Sequence, residues 1–184
     1  MTGEGAEMMR RWLSAAAIVV ALAGCDVQAD ASVPEPPLEP AAKAGGACEL
    51  LDFELLQHML GARYAVAASA GQDTTMTCVA RTADDPYPEV TLAVAPSIAD
   101  VAVFKAKVQP KGSIVVEGLG KVAYRAELPA ADGTGPALEV GWLAANARLL
   151  WLRVTVPSGA SAGELGLRLV VLAQEIDKVK PAAK

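Results

Sequence analysis

Histidine occurs once in the 184 residues and cysteine three times. A transition-metal centre built from imidazoles and thiolates therefore has too few ligands to draw on, and any serine nucleophile has one candidate base, His58. Aromatic residues make up 4% of the chain against an apolar fraction of 53%, because alanine inflates the latter. A core built mainly of Leu and Val is expected. Positive charge is not in excess either. The formal net charge is −5 and no basic stripe is present, which argues against nucleic acid and against electrostatic adhesion to anionic lipid. Long apolar runs are missing as well: the longest, Leu13 to Ala23, is about a dozen residues, short of the ~20 that a spanning helix needs.

That run follows Arg10 and Arg11 and ends in Leu22-Ala23-Gly24-Cys25. These four residues resemble the lipobox of bacterial lipoproteins. The resemblance implies that residues 1–24 are a signal peptide, that a lipid is attached to the Cys25 thiol, and that the cleaved chain is anchored on the extracytoplasmic face of the cell membrane. Glu4 and Glu7 sit where such a leader wants positive charge, so Met8 or Met9 is an alternative start. Residues 1–24 hold as many acids as bases, and the mature chain keeps the charge of −5. Attachment then rests on acyl chains, which hold firmly in twos or threes at ~0.8 kcal/mol per buried CH₂. In enterobacterial lipoproteins an aspartate after the cysteine, here Asp26, favours retention at the inner membrane. The rival reading of the run is a structural helix packed on the domain.

With Cys25 lipidated, Cys48 and Cys78 remain as an even pair in an oxidising compartment, where a disulfide is the default. Closing a loop of about 30 residues is worth roughly 3–4 kcal/mol in the chain-entropy model. Two buried free thiols or a weak metal site are the alternatives. Between Asp26 and Ala47 the chain is rich in Ala and Pro, ends in Gly45-Gly46 and lacks apolar periodicity. A disordered tether over 25–47 is expected, stiffened by its prolines, with one domain over 48–180 and a tail over 181–184.

Within the domain, Asp52 caps a short helix through Leu60 that Gly61 stops. Tyr64 to Ala68 and Met76 to Ala80 form strands around a turn at Gly71-Gln72-Asp73, and Val90 to Val94 is the next strand. Ser97 to Asp100 fits a capping box ahead of a helix bearing Val101, Phe104 and Val108. Ile114 to Val116 and Lys121 to Leu128 are strands. Leu138 to Ala144 and Arg148 to Val156 flank Asn146 as a hairpin. A turn centred on Asn146 pairs Leu138, Val140 and Trp142 with Leu150, Leu152 and Val154 on the core face. It also places Trp151 over Gly141 and Arg153 beside Glu139 behind it; a one-residue slip would exchange the faces. Leu165, Leu169, Leu172, Ile176 and Val179 keep helical spacing behind a Ser161/Glu164 capping box.

Several motifs invite chemistry. Gly159-Ala160-Ser161-Ala162-Gly163 matches the nucleophile elbow of serine hydrolases, but His58 lies upstream, the reverse of their order, and a helix cap explains Ser161. Gly118-Leu119-Gly120 resembles a relaxed dinucleotide fingerprint, yet a strand follows where a helix is required. His58 reads as a surface or satisfied helix residue. Asp84-Asp85 with Glu89 could attract calcium but lacks a regular ligand spacing. Trp151, Arg153 and Glu139 form the face flagged for binding, because an indole beside an arginine and a carboxylate can grip a ligand or partner. The simpler alternatives are an Arg–Glu pair or an indole covered by a helix.

Cys48-Glu49-Leu50-Leu51, Leu60-Gly61, Cys78, Gly118-Leu119-Gly120 with Ala123, two late strands and a terminal helix resemble actinobacterial envelope lipoproteins that carry an uncharacterised domain behind an Ala/Pro-rich tether. Val79 stands after Cys78 where such domains often carry tryptophan. The resemblance implies a cysteine pair linking the first helix to an early strand and, by looser analogy, a PsbP-like sandwich. The expected fold is thus α+β, a single domain with an antiparallel sheet packed between helices. The expected role is a lipid-anchored, non-catalytic module that binds an envelope protein or a small apolar ligand, without cofactor or metal and without nucleic acid. A lipid or metabolite carrier with an apolar cavity, and an envelope hydrolase using Ser161, are the alternatives.

Overall fold

The computed structural model describes residues 39–131 and 133–179. The leader, the lipobox with Cys25, the tether up to residue 38 and the tail over 181–184 lie outside the described residues. Seven strands form one antiparallel sheet: β1 (Tyr64–Gln72), β2 (Thr75–Thr82), β3 (Glu89–Pro96), β4 (Ile114–Val116), β5 (Val122–Leu128), β6 (Ala137–Leu143) and β7 (Arg148–Thr155), in the spatial order β1-β2-β3-β7-β6-β5-β4. The first three strands run as a meander. The chain then crosses to the far edge through α2 (Val101–Lys107) and meanders back until β7 lies beside β3. The other helices are α1 (Phe53–Leu60) and α3 (Gly166–Lys178).

Alternation along the strands separates two faces. On the first, Val90, Leu92, Leu138, Val140, Trp142, Leu150, Leu152 and Val154 join Leu56 of α1 and Leu169, Leu172, Ala173 and Ile176 of α3 in the main core. Trp142 is fully buried there, and its indole nitrogen donates to Asp177 of α3 at 2.9 Å. A buried indole N–H without a partner would be costly, so this bond fixes α3 on the sheet. On the second face, Phe104 of α2 packs with Val122, Tyr124 and Leu143 in a smaller cluster. The sheet therefore carries helices on both sides, an α+β arrangement as expected.

The β6–β7 hairpin has the register expected from its sequence: Leu138 pairs with Val154, Val140 with Leu152, Gly141 with Trp151 and Trp142 with Leu150. Asn146 accepts from Arg148 Nε at 2.9 Å, and Ala147 takes the left-handed conformation at φ 58°. Asp52 caps α1 by accepting from the Leu55 amide at 3.0 Å, and Gly61 ends the helix at φ 76°. Cys48 and Cys78 form a disulfide with Cα atoms 4.9 Å apart, both fully buried. Cys48 lies in a 3-10 turn (Gly46–Leu50) just ahead of α1 rather than in that helix.

Three local expectations are corrected. The tether expected through Ala47 is already folded at its end, because Ala41–Ala44 and Gly46–Leu50 form 3-10 turns whose Ala41 and Ala47 are buried in the core. Small side chains can pack closely even where no apolar stripe announces them. Asp100, not Ser97, caps α2 by accepting from the Val103 amide at 2.8 Å, while Ser97 Oγ accepts from the Ala99 amide at 3.1 Å. Ser161 does not cap α3. That helix is entered through a 3-10 turn (Gly163–Leu165) without a side-chain cap, and Val179 lies past its end in extended conformation, exposed.

Candidate functional site

The second face is built from two adjacent cross-strand rows. In one, Tyr124 of β5 lies opposite Gly141 of β6, which lies opposite Trp151 of β7, which lies opposite Ala93 of β3. In the next, Ala126 faces Glu139, Glu139 faces Arg153 and Arg153 faces Thr91. Glycine in a strand interior often marks a close approach, and Gly141 does so here: a Cβ on it would sit 2.5 Å from Tyr124 Cε1 and 2.7 Å from the phenolic oxygen. The Tyr124 ring thus lies across Gly141, which brings its hydroxyl to the neighbouring row.

There the Tyr124 hydroxyl donates to Glu139 Oε1 at 2.8 Å, and Arg153 donates to Glu139 Oε2 from Nη2 at 2.6 Å and from Nε at 3.1 Å. The Glu139 side chain is 8% exposed, the Arg153 side chain 47%. A pair with one end in water is screened, so its main contribution is orientation rather than net stability. Burial pushes the Tyr124 hydroxyl's pKa well above the usual tyrosine value, and the hydrogen bond to Glu139 and that residue's charge push it the same way; Trp151 and Arg153 oppose them. Phe104 of α2 meets the Tyr124 ring at a centroid distance of 5.9 Å and 43°. Asp100 thus acts at a distance: by starting α2 it sets the helix that holds Tyr124 from above.

Beside this row opens a groove of about 470 Å³. It is lined by Thr77 of β2, Thr91 and Ala93 of β3, Val108 and Pro110 just after α2, and Trp151 with Tyr124, Glu139 and Arg153. Trp151 is half-buried. No family model matches this chain, and no curated protein or solved structure is similar to it. The reading of the site therefore rests on its own geometry. A larger recess, about 640 Å³, lies between Pro40–Ala42, α1 and Val179. It adjoins the ends of the described chain and, among the described residues, has no comparable hydrogen-bonded set, so the groove is the stronger candidate.

Trp151, Arg153 and Glu139, the residues flagged from sequence, are brought together in this groove. One of the simpler alternatives is also realised, since Arg153 pairs with Glu139; Trp151 packs against the cluster of Phe104, Val122, Tyr124 and Leu143 but stays half-buried at the groove. Tyr124, Thr77, Thr91 and the α2 exit were not found from sequence. The available signal was Gly141, whose lack of a side chain calls for a large neighbour across the strand. The other candidates scatter. His58 lies in the last turn of α1, and Ser161 is exposed on the loop before α3. Gly118 and Gly120 have positive φ values of 74° and 55°, in a bend leading to β5 with no helix after it. A Cβ on Gly120 would come 2.5 Å from the Leu143 carbonyl oxygen. Glu89 pairs with Arg81, and Asp85 is held in a turn by Thr82. Among the described residues no group of three or more His, Cys, Asp and Glu side chains could hold a metal ion, and no helix is long and apolar enough to cross a membrane.

Proposed function

We propose that this chain is a lipid-anchored envelope protein whose domain is a non-catalytic binding module, with the groove beside the exit of α2 as its binding site. The observation that carries the binding reading is the Tyr124–Glu139–Arg153 row beside a half-buried Trp151. Both Glu139 oxygens already accept hydrogen bonds, whereas a general acid or base needs a carboxylate oxygen turned to the substrate. Burial and Glu139 also make Tyr124 harder to ionise. These groups are held in place rather than poised to react, which suits recognition. The anchor is supported by the lipobox-like Leu22-Ala23-Gly24-Cys25, and a buried Cys48–Cys78 disulfide accords with an oxidising compartment. A PsbP-like relationship is part of the same proposal, supported by a single antiparallel sheet with helices on it.

Two experiments test the parts separately. Metabolic labelling with an alkyne fatty acid should mark the wild-type chain and leave Cys25→Ser unmarked; an unmarked wild type refutes the anchor. A photoreactive benzoylphenylalanine placed at Thr77 in the groove should form adducts in living cells, and the same residue at Leu167, exposed on α3, should not. Equal adducts from both positions, or none from either, refute the groove as the binding site.

A further inference from the structure

We infer that the groove takes a neutral saccharide, with a sugar ring laid on Trp151 and its hydroxyls met by Arg153 and the two threonines. This rests on the reading of the groove as a binding site and names its ligand class.

The charge of the groove is balanced before anything binds. Among the described residues that line it, Arg153 is the one cation and Glu139 the one anion, and they are joined at 2.6 Å. The remaining lining residues are Thr77, Thr91, Ala93, Val108, Pro110, Tyr124 and Trp151, all uncharged. An anionic ligand would have to share Arg153 with the buried Glu139 carboxylate, which already neutralises the guanidinium and would repel a second negative charge beside it. A cation would meet a carboxylate whose two oxygens are already engaged. A ligand with formal charge thus gives up its hydration without a compensating pair. A neutral one keeps the pair intact and still finds polar groups.

Those groups suit hydroxyls. A guanidinium carries five N–H donors in a planar fork, of which Glu139 takes one from Nε and one from Nη2. The rest stay on a side chain that is about half exposed at the groove. Thr77 adds a hydroxyl that can donate and accept, and the Thr91 hydroxyl, which donates to Glu89 Oε1 at 3.5 Å, can still accept. Directional donors of this kind beside small hydroxyls match adjacent hydroxyls on a ring. Against them stand an indole and the aliphatic Val108 and Pro110, which suit the C–H face of a pyranose. The volume of about 470 Å³ lies within the ~300–1,000 Å³ of small-molecule sites.

Peptide is disfavoured by topology. β3 and β7 are interior strands with ladder partners on both sides, so their backbone groups are used within the sheet. An extended peptide over this face would find no edge to pair with, and its own amides would go unmet in the apolar half of the groove.

The test uses the full-length chain in neutral detergent, titrated calorimetrically with maltotriose, cellotriose, mannotriose and chitotriose as neutral probes and with trigalacturonate as the charged one. At least one neutral trisaccharide should bind with a Kd below about 5 mM. Trigalacturonate should bind at least about tenfold more weakly than the best neutral probe. Trp151→Ala should weaken binding by about tenfold or more, and so should Arg153→Lys, which keeps the charge and loses the fork. Thr77→Val, which leaves the core untouched, should weaken it a few-fold and guards against misfolding as the cause. No binding by any neutral probe, tighter binding of trigalacturonate, or unchanged affinity in Trp151→Ala and Thr77→Val would each overturn the inference. Cross-linking from Thr77 in cells without saccharide binding would refute the ligand class and leave the binding module standing; the loss of both would refute both.

Discussion

Replacing Gly141 by alanine in an ordinary strand should help, because glycine costs roughly 0.5–1 kcal/mol against alanine in a strand interior. Here the sign should reverse. The new Cβ would lie 2.5 Å from the Tyr124 ring and 2.7 Å from its oxygen, so the ring must move. Overpacking costs about 1–3 kcal/mol, and displacing the hydroxyl from Glu139 Oε1 forfeits a hydrogen bond to a charged group, about 1.5–3 kcal/mol. Less the gain from replacing glycine, the net loss is about 2–5 kcal/mol, read as a shift in the urea midpoint at constant slope. The same substitution in a Tyr124→Val background removes the clash and the bond together, and Gly141→Ala should then stabilise by about 0.5–1 kcal/mol. A loss below about 1 kcal/mol in the wild-type background, or an equal loss in both, would show that Tyr124 is not held over Gly141. The reasoning about the site would fail with it.

Reducing the Cys48–Cys78 bond, or replacing both cysteines by serine, should cost about 3–4 kcal/mol for a loop of this length; a change below about 1 kcal/mol in chemical denaturation would contradict a native disulfide. The fully buried Tyr64 hydroxyl meets no hydrogen-bond partner among the described residues, so Tyr64→Phe should be neutral or stabilise by up to about 2 kcal/mol, and a loss above about 1 kcal/mol would reveal a partner. Burial raises the pKa of both Tyr64 and Tyr124 above the ordinary tyrosine value of about 10. The folded chain then keeps protons that the unfolded chain releases, so stability holds below pH 10 and falls above it, by up to about 1.4 kcal/mol per pH unit per tyrosine. Denaturation followed from pH 8 to 11.5 checks this; a flat profile through that range in wild type, or the same fall in Tyr64→Phe/Tyr124→Phe, would contradict it.

The parts of the fold legible in the sequence were those fixed by local contrast. The β6–β7 register followed from alternation on both sides of Asn146, since a slip would have put Arg153 into the core with Trp142. The α1 boundaries followed from Asp52 and Gly61, each with its own backbone chemistry. What stayed hidden depended on distant partners. The pairing of β3 with β7 joins segments about sixty residues apart, and nothing in Val90 to Val94 says which strand will lie beside it. Phe104 showed helical spacing but not the face of the sheet that α2 would cover, so the groove it helps to shape had no local signature. Ser161 misled because a capping pattern is short, and a 3-10 turn took the helix start instead. Of the site, Trp151, Arg153 and Glu139 were legible because one hairpin holds all three. Tyr124 was not, because the residues between β5 and β6 conceal how those strands align.

The disulfide also has a mechanical consequence. Helix α1 and strand β1 lie wholly inside the covalent ring that Cys48 and Cys78 close. Tension applied to the chain before Cys48 passes through sulfur straight into β2, which is laced to a neighbour on each side. Such a pull can strip the small 3-10 turns, but it cannot unzip the first helix and strand from the end. A protein tugged by its N-terminal side would thus yield a few residues of slack before the load reaches the paired strand β2.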